Sequence, residues 1–170
     1  FRIEHRLQRL VLVAGAAYRQ PLPPFVAMAR HARLSGLALR ALGPELVIAQ
    51  ALRAMVFDPG DITRDQIRGY AAPLRDPGSF GALCASALQI VPLDLDRITS
   101  RYREIDVPAL LLWGRQDGAV PLWVGRRLAD ALPRGTLRVI ERCGHMLPEE
   151  RPGESIDALR AFLDAHPAHR

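Results

Sequence analysis

Lysine is absent from this chain: all 23 basic residues are arginine, against 18 acidic ones, for a formal net charge of +5. The arginines are scattered from Arg2 to Arg170 without a cluster interleaved with aromatics. A nucleic-acid face is therefore excluded in favour of arginine-coated helices. Cysteine is scarce too: Cys84 and Cys143 lie far apart, without CxxC or Cys/His ligand spacing. That leaves neither a zinc site nor a disulfide framework, and it fits a reducing cytoplasm. Cys84 sits in an apolar helical run and reads as a small core residue. Long hydrophobic runs are missing as well. The longest, such as "LVLVAGAA", cannot span a bilayer, and the first residues do not have the layout of a signal peptide. The expectation is a soluble cytoplasmic protein that binds neither membrane nor nucleic acid, with no repeat and no disordered linker. Methionine does not open the chain either. Phe1 leads almost at once into a strand, so the beginning of the protein is expected to lie upstream.

What is present is a chain of 170 residues, 49% hydrophobic, enough to bury one real core. "RLVLVAG" at 9–15 and "PALLLWG" at 108–114 are continuous aliphatic runs. Runs apolar on both faces suit strands buried in a parallel sheet. "TLRVIE" at 136–141 alternates more and suits a strand nearer the edge. "PLWVGRRLADAL" gathers Val124, Leu128 and Leu132 on one helical face, and "ESIDALRAFLDA" gathers Ile156, Leu159 and Leu163. Strand, helix, strand, helix over 107–165 indicates an α/β sheet. Residues 18–106 contain no convincing strand. Five helices are read there, over 23–42, 44–57, 63–74, 78–91 and 94–105, and Thr63 with Gln66 forms a capping-box pattern at the start of the third. The division expected is an α/β core from 1–17 and 107–170, with a helical subdomain from 18–106 inserted between two strands.

Asp117 sits where the chain leaves the strand ending at Trp113, and His145 follows the strand "TLRVIE". Functional groups gather at the carboxyl ends of strands in open parallel sheets. Neighbouring strands are roughly 5 Å apart, so these two loops can bring a carboxylate within reach of an imidazole. Such an acid holds the histidine in one tautomer and stabilises the imidazolium. The plainer alternatives are a turn histidine with no role and an Asp117 that caps the helix starting near Leu122.

"VPALLLWGRQDGAVP", then "TLRVIERCGHMLPEERP" and an amphipathic helix, resembles the last third of an α/β-hydrolase-fold enzyme. The resemblance rests on W-G-x-x-D-x-x-x-P (Trp113, Gly114, Asp117, Pro121) and on a G-H turn with a downstream E-x-P (Gly144, His145, Glu150, Pro152). It implies the C-terminal portion of that fold, about three parallel strands with flanking helices, with 18–106 in the place of the helical cap. It also implies Asp117 as triad acid, His145 as base, no cofactor and no metal. Ala14 stands where relatives often carry an Asp, which leaves Asp117 as the acid.

The family's nucleophile lies in a G-x-S-x-G elbow. None of Ser35, Ser79, Ser86, Ser100 and Ser155 has glycine at both −2 and +2, so the elbow and the oxyanion-hole loop are expected upstream of Phe1. The expected activity is serine-type hydrolysis of an ester, lactone or similar acyl bond of a small apolar molecule by the complete enzyme. The alternatives are a non-catalytic fragment or binding module of the same fold, and epoxide, haloalkane or C–C bond hydrolysis. Lid tyrosines serve epoxide chemistry in relatives; Tyr18, Tyr70 and Tyr102 are available, but no pattern around them assigns that role. Met28, Tyr70, Phe80 and Leu83 are candidates for a substrate cavity, and Val120, Met146 and Leu147 flank the catalytic positions. Glu149 and Glu150 are read as favouring the positive end of the last helix. His5, His31, His166 and His169 are read as solvated.

Overall fold

The computed structural model describes residues 6–167. Three parallel strands, β1 (Leu10–Val13), β2 (Ala109–Gly114) and β3 (Gly135–Ile140), form a sheet in the order β1-β2-β3. β2 is central, and all six of its residues are buried. Its side chains alternate between two cores, as a period of two requires. Ala109, Leu111 and Trp113 join Val124 and Leu128 of helix α7 (Leu122–Ala131) and Leu132 just past its end. Leu110 and Leu112 join Ile140, Leu147 of the short helix α8 (Leu147–Glu150) and Phe162 on the opposite face, where helix α9 (Pro152–Ala165) packs.

β1 is shorter and less buried than its sequence suggests. Among the described residues it pairs with β2 alone, so its other edge is open and Val13 is 41% exposed. The strand also ends before Gly15, because Ala14 takes a left-handed conformation at φ 46°. For a residue with a Cβ that costs about 1–2 kcal/mol. The backbone turns out of the sheet there, while the Ala14 amide still donates to the Leu112 carbonyl at 2.9 Å.

Between β1 and β2 the chain forms helices and turns. α1 (Pro24–Ala27) runs through a 3₁₀ turn at Met28–His31 into α2 (Ala32–Leu42). This replaces the single helix expected over 23–42. His31 leaves helical angles at φ −114°, ψ 47°, and Ser35 donates back to the Met28 carbonyl across the break. α3 (Pro44–Met55) and α4 (Arg64–Ala71) follow, the latter opened by the Thr63–Gln66 capping box. α5 (Ser79–Leu88) buries Cys84, and α6 (Leu95–Thr99) leads by a 3₁₀ turn to β2.

The last helix buries a different face from the one its periodicity suggests. Ile156 and Leu163 are exposed, whereas Ser155 and Phe162 are buried. Ser155 tolerates burial because its hydroxyl donates to the Leu147 carbonyl at 3.2 Å.

Candidate active site

The loops after β2 and β3 leave the same edge of the sheet and are laced together. Arg115 N donates to the Ile140 carbonyl at 2.9 Å and Gln116 N to the Cys143 carbonyl at 3.0 Å. The Gln116 side-chain oxygen accepts from Cys143 N at 3.2 Å. Gly114 lies where the two loops press closest: a Cβ there would sit 2.8 Å from the Cys143 carbonyl carbon and closer still to two carbonyl oxygens. Trp113 anchors the first loop from below, its indole N–H donating to the Val120 carbonyl at 2.8 Å, with Gly125 making room for the ring. Trp113 and Gly114 of the first motif therefore shape the loop that carries Asp117.

Asp117 does two jobs at once. Its Oδ1 accepts from Ala119 N at 2.8 Å and Val120 N at 2.7 Å, which ties the turn leading to α7. Its Oδ2 lies 3.0 Å from His145 Nδ1, and the carboxylate side chain is wholly buried while the imidazole is 29% exposed. Facing a carboxylate that only accepts, a neutral imidazole in this position places its proton on Nδ1 and keeps Nε2 as its acceptor nitrogen. Asp117 does not cap α7, which starts after Pro121 without a side-chain cap; one oxygen ties the preceding turn and the other meets the imidazole. Among the described residues, Asp117 is the one side chain hydrogen-bonded to His145.

Glu150 does something that sequence reasoning missed. It does not simply complement a helix end: Oε2 accepts from Phe57 N at 2.7 Å and Gly144 N at 2.9 Å, and Oε1 from Met146 N at 3.0 Å. Glu149 instead bonds Gln66 and Tyr70. His145 N donates to the Met55 carbonyl at 2.7 Å. Gly144 allows the end of α3 to come this near, since a Cβ there would lie 2.8 Å from Phe57 N.

His145 borders a cavity of about 220 Å³ whose walls include Val26, Met55, Ile90, Leu95 and Val120. Met28, Leu83 and Tyr70 are instead half-exposed elsewhere, and Phe80 packs beside Gly36, so none of the four forms this cavity. Val120 both lines the cavity and joins the core, Leu147 is core, and Met146 contributes its amide to Glu150. Gln20 brings a polar group to the wall. Its amide nitrogen donates to the Ala119 carbonyl at 3.4 Å, leaving a buried Oε1 without a partner.

The three tyrosine hydroxyls are engaged away from the imidazole: Tyr18 on the Arg127 carbonyl, Tyr102 on the Ala17 carbonyl, Tyr70 on Glu149. Cys143, two residues before His145, is no substitute nucleophile. Burial, aided by the nearby Glu150 charge, pushes its thiol up to about 12, so it stays protonated at neutral pH. Of the other histidines, His31 is exposed and His166 packs against Phe162 with ring centroids 4.9 Å apart. His5 and His169 lie outside the described residues. Among the described residues no group of three or more potential metal ligands is assembled, and no helix is long and apolar enough to cross a membrane.

With this geometry in view, a family model described as "Alpha/beta hydrolase family" matches residues 4–158. This chain belongs to the alpha/beta hydrolase family. A hydrolase of Bacillus subtilis, YugF, of uncharacterised activity, is 28% identical over 155 residues, covering 91% of this chain and 56% of its own length. A 2-hydroxy-6-oxononadienedioate/2-hydroxy-6-oxononatrienedioate hydrolase of Paraburkholderia phymatum is 53% identical over 63 residues, 37% of this chain and 22% of that protein. The solved meta-cleavage product hydrolase of Pseudomonas fluorescens IP01 superposes with a TM-score of 0.72 at 21% identity, covering 96% of this chain and 58% of that one. Against both YugF and this structure, the alpha/beta hydrolase chain described here spans about half the length of its relative.

Proposed function

We propose that this chain carries the acid and base of a hydrolase that acts on a small, mainly apolar molecule, with His145 as base and Asp117 as its orienting acid. The observation that carries the reading is the 3.0 Å Nδ1–Oδ2 pair at the wall of an apolar cavity. In this reading the core is 1–17 with 107–170, and 18–106 forms a lid over the site.

The chemistry follows from the tautomer. His145 Nε2 takes the proton of a serine hydroxyl, supplied by the rest of the full-length protein, as that oxygen attacks an acyl carbon. Asp117 stabilises the imidazolium, which then protonates the leaving group. In the second half-reaction Nε2 takes a proton from water, the hydroxide attacks the acyl carbon, and the departing serine oxygen takes that proton back from the imidazolium.

The bond in the first reading is an ester, lactone or similar acyl bond. A second reading, C–C bond hydrolysis, is favoured by the stretch shared at 53% identity with the dienedioate hydrolase. Gln20 bears on the substrate in either case. Its unpartnered Oε1 suits a ligand that presents a hydroxyl to an otherwise apolar wall. One neutral hydrogen bond is worth about 1 kcal/mol, or roughly five-fold in affinity. Gln20→Leu is therefore expected to remove about a five-fold preference of this chain for benzyl alcohol over toluene, read by chemical-shift titration.

The test of the bond class is turnover by the full-length protein of p-nitrophenyl butyrate against 2-hydroxy-6-oxo-6-phenylhexa-2,4-dienoate. Ester turnover supports the first reading and dienoate cleavage the second. A folded full-length protein that turns over neither contradicts both.

A further inference from the structure

We propose that Glu150 is a positioning residue that couples the orientation of His145 to the seating of the α3 end, residues 55–57. The inference rests on His145 being the base, and it concerns what holds that base in place.

Three consecutive amides surround the imidazole's anchor point, and each is committed. Gly144 N and Met146 N donate to the two oxygens of Glu150, and His145 N donates to the Met55 carbonyl. The same carboxylate also accepts from Phe57 N, across 93 positions of sequence. Glu150 therefore joins two segments that no strand or helix joins. Arg142 adds a further contact, its guanidinium lying 5.7 Å from the centre of the Phe57 ring. Arg142 itself sits at φ 50°, so the chain leaving β3 is held in a left-handed turn just before the clamped amides.

The consequence runs through Met55. Its side chain lines the cavity, and its carbonyl receives the His145 amide. A ligand that shifts the α3 end shifts a hydrogen-bond partner of the base. Conversely, an α3 end that is not seated leaves Glu150 with one donor fewer and His145 N without its acceptor. The sheet sets where Asp117 stands, whereas the helical segment sets the angle at which His145 meets it. A charge complementing the end of α9 would have no such effect.

The test uses the full-length protein labelled at histidine, with the His145 Nδ1–H resonance and its exchange with water as readout. The unsubstituted chain is expected to show a downfield, slowly exchanging Nδ1–H bonded to Asp117. Glu150→Ala is expected to speed that exchange at least ten-fold or erase the signal. Glu150→Gln, which keeps one acceptor oxygen, is expected to fall between the two. Glu149→Gln, which removes the same charge one residue away but touches Gln66 and Tyr70, is expected to leave the signal unchanged.

Folding of each variant is checked by near-ultraviolet circular dichroism, so that a structural collapse is not read as a loss of positioning. If Glu150→Ala does not fold, Glu150→Gln decides: an unaltered His145 signal overturns the inference. A resonance present in the unsubstituted chain and indifferent to both Glu150 variants overturns the inference while leaving the Asp117–His145 pair standing. Its absence from the unsubstituted chain overturns the pair and the coupling together.

Discussion

Asp117→Asn is expected to lower turnover by the full-length protein about 10⁴-fold, the loss seen when the acid of a comparable triad is made an amide. The direction follows from which atoms the substitution leaves in place. The amide oxygen can still accept from Ala119 N and Val120 N, so the turn into α7 survives. The NH₂ group then faces His145 Nδ1 where Oδ2 stood. A donor there requires Nδ1 to accept, which moves the ring proton to Nε2 and leaves the base with nothing to take a proton on. Folding and binding are expected to persist while the rate is lost. Asp117→Ala differs, because it also orphans two buried amides at roughly 1–3 kcal/mol each and should lower stability as well. Rates and urea midpoints measured on both variants separate the two roles. An Asn variant that retains most of its activity would reduce Asp117 to a tie for the turn before α7.

Gly114→Ala is expected to have the largest effect on stability. The added carbon would meet the Cys143 and Gly144 carbonyls, which are backbone and held by the neighbouring loop. No rotamer change relieves that contact, so the loops carrying Asp117 and His145 must separate. A cost above about 4 kcal/mol is expected, a large part of the total for a domain stable by 5–15 kcal/mol. Gly69 supplies the control. It lies inside α4 with open space where its Cβ would be, and Gly69→Ala should stabilise by roughly 0.5–1 kcal/mol through helix propensity. Urea denaturation of the two variants should therefore move in opposite directions. A Gly114→Ala chain as stable as the unsubstituted one would mean the loops are not packed as described.

The parts of this molecule legible in the sequence are those set by local periodicity and by motif. β2 reads as a doubly buried strand because every residue from Ala109 to Gly114 faces a core. α7 reads correctly because Val124 and Leu128 fall on one stripe, with Leu132 joining the same core just past the helix end. Asp117 and His145 are legible because each follows a strand, and parallel strands deliver their ends to one edge.

The role of Glu150 was not legible. Its partners are backbone amides, which every residue but proline possesses, and the most distant of them is 93 positions away. No side-chain pattern records such a contact. The cavity wall was not legible either, for a related reason. Met28, Tyr70 and Leu83 are apolar and sit on helices, but which helical faces turn toward His145 depends on how the helices between β1 and β2 pack together. In α9 the periodicity favoured Ile156 and Leu163, yet the face with Phe162 is the one buried, because its ring reaches the core under β2 and β3. The glycines carry the one signal that pointed toward the missed contacts. Gly144 precedes the histidine because the α3 end passes where its side chain would be.

The most direct measurement of the central claim is the turnover number of the full-length protein with His145→Ala, on whichever test substrate the unsubstituted protein hydrolyses. A fall of about 10⁴-fold or more, with folding and cavity binding retained, is the result expected of a base held by Asp117. A rate within ten-fold of the unsubstituted protein would contradict it.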